Sequence, residues 1–243
     1  MSTTFANLSS LPAYCLDFDR SRRLGVGEVV YGEGKTEPEL LEIVEKLWEQ
    51  ETAPHQKTSV LVTRLSDESQ KSLQKKFPAG VLNQRARTFR LSKNLNEKSL
   101  EVFESSPGND GFVAVVCAGT TDLYVAEEVV ETLTMANLPY GRVYDVGVAG
   151  LHRLLARGEF LRRASVIIVI AGMEGALPSV LGGLFSQPII AVPTSVGYGV
   201  ALKGQTALHG MLTSCAPGIS VMNIDNGFGA AFAAFRILKG QRL

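Results

Sequence analysis

From residue 111 onward, short apolar runs alternate with longer amphipathic stretches and glycine-bearing loops. The runs Phe112–Cys117, Arg142–Val146, Val166–Ala171, Ile189–Val192 and Ile219–Met222 carry the valine and isoleucine of buried strands. Helical periodicity fills the gaps, at 122–137, 175–185, 204–213 and 229–238. Continuously apolar strands alternating with helices predict a parallel sheet covered on both faces. Right-handed crossovers then give an α/β fold, a flavodoxin-like doubly wound parallel sheet. Ligands of such sheets bind beyond the carboxyl ends of the strands, so the loops after each strand are where chemistry is expected.

The first 105 residues have a different texture, richer in charge and amide and holding most of the Lys and Arg. Thr36-Glu37-Pro38-Glu39 predicts a helix start: a threonine cap, proline in the first turn and glutamate at the third position. Leu40, Val44, Leu47 and Trp48 follow at helical spacing and make one apolar face. Ser59–Thr63 reads as a buried strand and Asp67–Phe77 as a polar helix. This is a smaller α/β module, residues 1–105. The polar stretch Glu104–Gly111 reads as the linker to a second domain over 111–243.

Composition narrows the function classes. Lys plus Arg and Asp plus Glu both number 24, so net charge gives no reason to expect a nucleic-acid or membrane-surface partner. The first twenty residues lack a basic segment followed by an apolar one, and Val166–Ala171 is too short to span a bilayer. Cys15, Cys117 and Cys215 are far apart with no CxxC pair, which points away from disulfides or a zinc knuckle and toward reduced thiols in cytoplasm.

The post-strand loops hold the candidate chemistry. After the first strand of the second domain, Gly119-Thr120-Thr121-Asp122 opens a helix. Glycine allows close approach, the hydroxyls can donate to phosphate, and free N–H groups favour an anion. The same residues would also serve as an ordinary cap, and both readings stay open. After the second strand, Arg153 can grip phosphate or carboxylate as a fork, and His152 can move a proton or simply be structural. The third loop, Gly172-Met173-Glu174-Gly175, puts a carboxylate where a sheet presents catalytic groups and where desolvation raises its pKa. Thr194 and Ser195 follow the fourth strand, and Asn223 and Asp225 the fifth. Cys215 lies near a helix C-terminus, which does not favour a thiolate; a cationic substrate ring would. Gly32-Glu33-Gly34-Lys35-Thr36 imitates the end of a P-loop, but the glycine needed five positions earlier is Val29. No GxGxxG follows a strand, there is no GxSxG, and three scattered histidines form no metal box.

Residues 111–243 resemble the AIR carboxylase superfamily of purine synthesis, whose GSxSD, AHR and AGGAAHLPG segments correspond here to AGTTD (118–122), LHR (151–153) and AGMEGALPS (171–179). The catalytic histidine of those enzymes falls on Ala176, which disfavours the purine reaction. Nearly the whole chain resembles the LarB family of nickel-pincer cofactor synthesis, through Asp17, Arg20, Arg23, Gly25 and Glu28, then GEGKT (32–36), DVGVAGLHR (145–153), VPTSVGYG (192–199) and NIDNGFGAA (223–231). Thr121 and Gly27 depart from that family's usual serine and proline.

The resemblance implies carboxylation of nicotinic acid adenine dinucleotide at ring carbon 5, with CO₂ or bicarbonate as the carbon source, and cleavage of the phosphoanhydride to release AMP. It implies Cys215 as nucleophile and Glu174 as base, Mg²⁺ to assist phosphoanhydride hydrolysis, and a homo-oligomer of the size of an octamer. Arg20 and Lys35 become anion contacts from the first module or remain solvated charge. Two other readings stay on the page: a purine-type carboxylase or mutase, and a catalytically silent pyridine-nucleotide sensor.

Overall fold

The computed structural model describes residues 14–51, 59–92, 100–105 and 111–240. In the first module these form α1 (Arg20–Leu24), β1 (Val29–Tyr31), α2 (Glu37–Glu51), β2 (Ser59–Thr63), α3 (Asp67–Lys76), β3 (Val81–Asn83) and β4 (Thr88–Ser92). The predicted start of α2 is present, with Glu39 reaching back to Thr36: its carboxylate accepts from the Thr36 amide at 3.0 Å and from the Thr36 hydroxyl at 2.7 Å. The sheet order is β1-β2-β4-β3, with β1 parallel to β2 and the other two pairings antiparallel. Val60, Val62, Phe89 and Leu91 pack with Leu40, Val44, Leu47 and Leu73 of α2 and α3 on one face.

The second region forms β5 (Val113–Cys117), α4 (Leu123–Met135), β6 (Tyr140–Val143), α5 (Leu151–Leu155), α6 (Gly158–Arg162), β7 (Val166–Ala171), α7 (Leu177–Leu184), β8 (Ile189–Pro193), α8 (Gln205–Leu212), β9 (Ile219–Val221) and α9 (Gly227–Gly240). All five strands are parallel, in the order β6-β5-β7-β8-β9. Order reverses between β6 and β7, so the crevice beyond β5 and β7 is the topological switch point. Period-two alternation divides the core: Val113, Val115, Ile168 and Ile170 face α4 and α9, while Ala114, Val116, Ile167 and Val169 face α5 to α8.

The predicted strand at 142–146 lies two residues earlier. Tyr140 and Gly141 pair with β5, and the chain leaves the sheet after Val143 because Asp145 adopts a left-handed φ of 58°. Ahead of the predicted linker, Leu100 and Val102 bond the backbone of Tyr140 at 2.9 and 2.7 Å, so this segment edges the second sheet. Residues 106–110 of that linker lie outside the described residues. Among the described residues, no helix is long and apolar enough to cross a membrane.

Helix α4 lies between the two sheets and is buried almost all round. Val125, Val129 and Leu133 join the shared core, and Leu61 of β2 belongs to it too. Its acidic residues meet cations of the first sheet: Arg90 pairs with Glu131 at 3.1 Å and Arg64 with Glu128 at 3.3 Å.

Candidate active site

The loops beyond β5, β6, β7 and β8 enclose a cavity of about 240 Å³. Gly119, Thr121, Asp122, Gly172, Met173 and Glu174 line it, with Gly147, Val148 and Ala149 from the loop after β6 and Val196 from the loop after β8. These loops converge because small residues let them touch. A Cβ on Gly172 would come within 2.5 Å of the Val196 carbonyl oxygen and 2.6 Å of the Thr194 hydroxyl. The Met173 amide donates to that same carbonyl at 2.8 Å, with Met173 at a left-handed φ of 55°.

Asp122 is the buried carboxylate of the cavity, 3% exposed. It accepts from the Gly119 amide at 2.9 Å and from the Thr194 hydroxyl at 2.7 Å. Burial pushes its pKa above the ordinary carboxylate value, and these bonds partly oppose the rise. Glu174, in contrast, is exposed at the cavity rim, so the desolvation anticipated for it falls on Asp122 instead. Thr120 occupies the short 3-10 turn between Gly119 and Asp122 and does not itself line the cavity.

Behind the cavity a second set of polar residues is joined. Asp225 accepts from the Ser195 amide at 2.8 Å and from the Tyr124 hydroxyl, which also contacts the Ser195 hydroxyl at 3.1 Å. Burial and the neighbouring Asp225 carboxylate raise the Tyr124 pKa well beyond that of a free phenol, which keeps it a donor. Sequence reasoning missed Tyr124. Its signal was weak, one aromatic residue two positions after Asp122 on a helix otherwise explained by packing.

The remaining predicted residues are placed around this centre. His152 is exposed on α5, and Arg153 pairs with Asp145 at 2.5 Å. Asn223 is exposed and its side chain caps the Ile224 amide at 2.9 Å. Lys35 sits in the turn after β1, and Arg20 lies over the Phe232 ring of α9 at 5.9 Å with its Nε buried. None of these five side chains lines the cavity. No group of three or more His, Cys, Asp or Glu side chains suited to a metal assembles among the described residues.

Cys215 lies in the loop between α8 and β9, exposed and outside the cavity lining. It is nevertheless close to the Glu174 loop in the fold. Helix α8 rests on that loop, since a Cβ at Gly210 would meet the Glu174 carbonyl oxygen at 2.4 Å. Ser214, next to Cys215, contacts the hydroxyl of Ser179 in the first turn of α7 at 2.6 Å. Thus Glu174 and Cys215 are both exposed and flank the start of α7. Cys117 is the opposite case: buried beneath the Gly119 loop, its thiol is pushed up to about 12 by burial, which removes it as a competing nucleophile.

Comparison with known proteins bears on both modules. A model described as the LarB/PurE-like N-terminal domain matches residues 8–93, and the AIR carboxylase model matches residues 112–242. The chain is also 41% identical, over 226 residues, to an uncharacterized protein of Methanocaldococcus jannaschii, covering 92% of this chain and 83% of that one. This chain belongs to the LarB family. Within the AIR carboxylase superfamily, the LarB-type chain is 34% identical over 131 residues to N5-carboxyaminoimidazole ribonucleotide mutase of M. jannaschii, covering 52% of this chain and 78% of the mutase. That likeness is about the length of the second domain alone. The family identifies a carboxylase-type enzyme that binds a nucleotide. In this LarB-family member Ala176 lines the cavity itself.

Proposed function

We propose that this enzyme carboxylates nicotinic acid adenine dinucleotide at ring carbon 5 and cleaves its phosphoanhydride, giving pyridinium-3,5-biscarboxylic acid mononucleotide and AMP. The observation that carries the reading is the cavity at the switch point, with Gly119–Asp122 on one side, Glu174 on its rim and Ala176 in its wall. Ala176 has no group that can carry a proton, and Glu174 is the exposed base at hand. At about 240 Å³ the cavity takes the ring end of the substrate, with the rest of the dinucleotide lying across the mouth.

A pyridinium ring is electron-poor and does not attack CO₂. Addition of the Cys215 thiolate at ring carbon 4 gives a neutral dihydropyridine whose enamine carbon 5 is nucleophilic. That carbon forms the new bond to CO₂, Glu174 removes its proton, and expulsion of the thiolate restores the aromatic cation. Because Cys215 is exposed outside the cavity, the reading brings thiolate and ring together in a homo-oligomer, of octameric size. Exposed Tyr198, Val200 and Leu202 beside the mouth support such packing between copies. Mg²⁺ belongs to the reading only as an ion carried by the substrate's diphosphate.

Mass spectrometry of a reaction containing nicotinic acid adenine dinucleotide, bicarbonate and Mg²⁺ tests it. The expected products are AMP and a mononucleotide heavier by one CO₂ than nicotinic acid mononucleotide. Absence of both across varied pH and metal, with turnover of aminoimidazole ribonucleotide instead, would transfer the assignment to the purine reaction.

A further inference from the structure

Arg64 carries the first module to the second domain's loops. Arg64 is the residue that follows β2, at a left-handed φ of 57°. Its backbone carbonyl and that of Leu65 accept from the Arg87 guanidinium, at 3.5 and 2.7 Å. Its own guanidinium pairs with Glu128 at 3.3 Å and donates to the backbone carbonyl of Asp225. Glu128 in turn accepts from the Phe228 amide at 3.1 Å, so Arg64 and Glu128 together grip the turn that opens α9.

From that turn a continuous line of hydrogen bonds runs to the cavity. The Asp225 carboxylate holds the Ser195 amide at 2.8 Å, and the Val196 carbonyl, one residue on, holds the Met173 amide at 2.8 Å. Glu174 is next in the chain. Asp225 and Met173 share the left-handed backbone of Arg64, at φ 57° and 55°. Such geometry in residues other than glycine persists only where surroundings over-determine it, and each bond in the line supplies part of that constraint.

We propose that Arg64 is a positioning residue of the carboxylation site: its forked grip on the Asp225 turn fixes, through Ser195, Val196 and Met173, the backbone course that presents Glu174. The proposal rests on the base role given to Glu174, but its first test does not need substrate. In Arg64→Ala, amide hydrogen exchange within 172–176 and 194–198 should quicken by ~10-fold or more, the range expected when a stabilising contact of a local opening unit is lost. In the carboxylation assay kcat should fall ~10- to 100-fold, as sub-ångström misplacement of a reacting group predicts, with KM changed far less. Added guanidinium ion should restore part of both properties. Arg64→Lys keeps the charge beside Glu128 but lacks the planar fork, so it should lie between Arg64→Ala and wild type.

Asn83→Ala is the control. It removes side-chain bonds to Glu127 and Glu131 at 3.3 and 3.1 Å and the acceptor of the Ala86 amide at 3.1 Å, elsewhere on the same interface, and the Asn83 side chain bonds neither Arg64, Glu128 nor the Asp225 turn. It should leave exchange and kinetics as in wild type. Unchanged exchange in Arg64→Ala, or equal changes in Arg64→Ala and Asn83→Ala, would reduce Arg64 to ordinary docking and overturn the proposal. Should Arg64→Ala not fold, wild-type exchange in Arg64→Lys overturns it equally. A wild-type enzyme inactive on the dinucleotide would sink the substrate assignment, while the exchange comparison would still decide the role of Arg64.

Discussion

The two sheets bury their faces by different means. In the parallel sheet, β5, β7 and β8 are apolar on both sides and buried along their whole length. The first sheet is wholly apolar toward α2 and α3. Toward α4 it offers Arg90 beside Leu61, with Arg64 and Asn83 nearby, to Glu127, Glu128 and Glu131. Apolar burial is non-directional, whereas a buried ion pair is satisfied in one orientation. The contrast teaches that the parallel sheet is held mainly by non-directional apolar burial, whereas ion pairs add the register in which the first module sits on it. Chemistry then belongs to the parallel domain, and geometry is imposed on it from outside.

The sharpest break of that division comes from the two exposed reactive groups. Cys215→Ala should abolish carboxylation while the fold and nucleotide binding persist, because the thiol packs against nothing in the core. Glu174→Gln keeps size and hydrogen bonding but cannot take the proton from ring carbon 5. Turnover should fall ~10²- to 10⁴-fold, the usual cost of a lost general base, with little change in affinity. Adduct between Cys215 and the ring should accumulate in that variant and show new near-ultraviolet absorbance. A Glu174→Gln enzyme turning over within twofold of wild type would return the glutamate to a helix-start carboxylate.

The same contrast governs what was legible in the sequence. Val166–Ala171 was predicted to the residue, because six consecutive apolar positions fit a strand buried on both faces. Strands β1, β3 and β4 were not read. Val29–Tyr31 and Val81–Asn83 are three residues long, and Thr88–Ser92 carries Arg90 in its middle, which no apolar pattern reports. Arg90 is buried with its guanidinium received by Glu131 on a distant helix and by the Ser92 hydroxyl. The cavity was legible for a topological reason, since four post-strand loops had to converge. Cys215 was singled out by resemblance alone; its loop precedes β9, and strand topology gives it no place at the carboxyl edge. The desolvated carboxylate was assigned to Glu174 and is Asp122. One residue's flanking glycines do not reveal which loop side chain folds inward.

The docking face gives the next effect in size. The Arg90 side chain is 2% exposed and that of Glu131 11%. Glu131→Ala takes the carboxylate from a buried guanidinium and should cost about 3–5 kcal/mol in urea denaturation. Joint replacement by Arg90→Met and Glu131→Leu removes both charges and should recover most of that loss. A single-variant cost below ~1 kcal/mol, the range of exposed ion pairs, would show that the two modules are held by their shared apolar core instead.

The smallest effect concerns Asp122 and the pH dependence of stability. Burial raises its pKa in the folded protein above the 3.8 of an unperturbed aspartate, and the Asp225 charge acts in the same direction. Between 3.8 and the folded value, the folded chain holds the proton while the unfolded chain has released it. The unfolded state then binds fewer protons, so stability falls as pH rises through that window and levels off above it. Asp122→Asn removes this titration while keeping an amide oxygen for the Gly119 amide, and the Thr194 hydroxyl can turn to accept from the new NH₂. Buried Glu128 carries a raised pKa of its own for the same cause, so total stability against pH mixes the two groups. The difference between wild type and Asp122→Asn isolates Asp122. Measured from urea midpoints across the acid range, wild type should lose ground to the variant as pH climbs above 3.8 and then hold a constant gap near neutrality. A gap that moves in wild type's favour as pH rises would mean that the Gly119 and Thr194 bonds outweigh burial, making Asp122 an ordinary ionised cap for the loop rather than the desolvated carboxylate of the cavity.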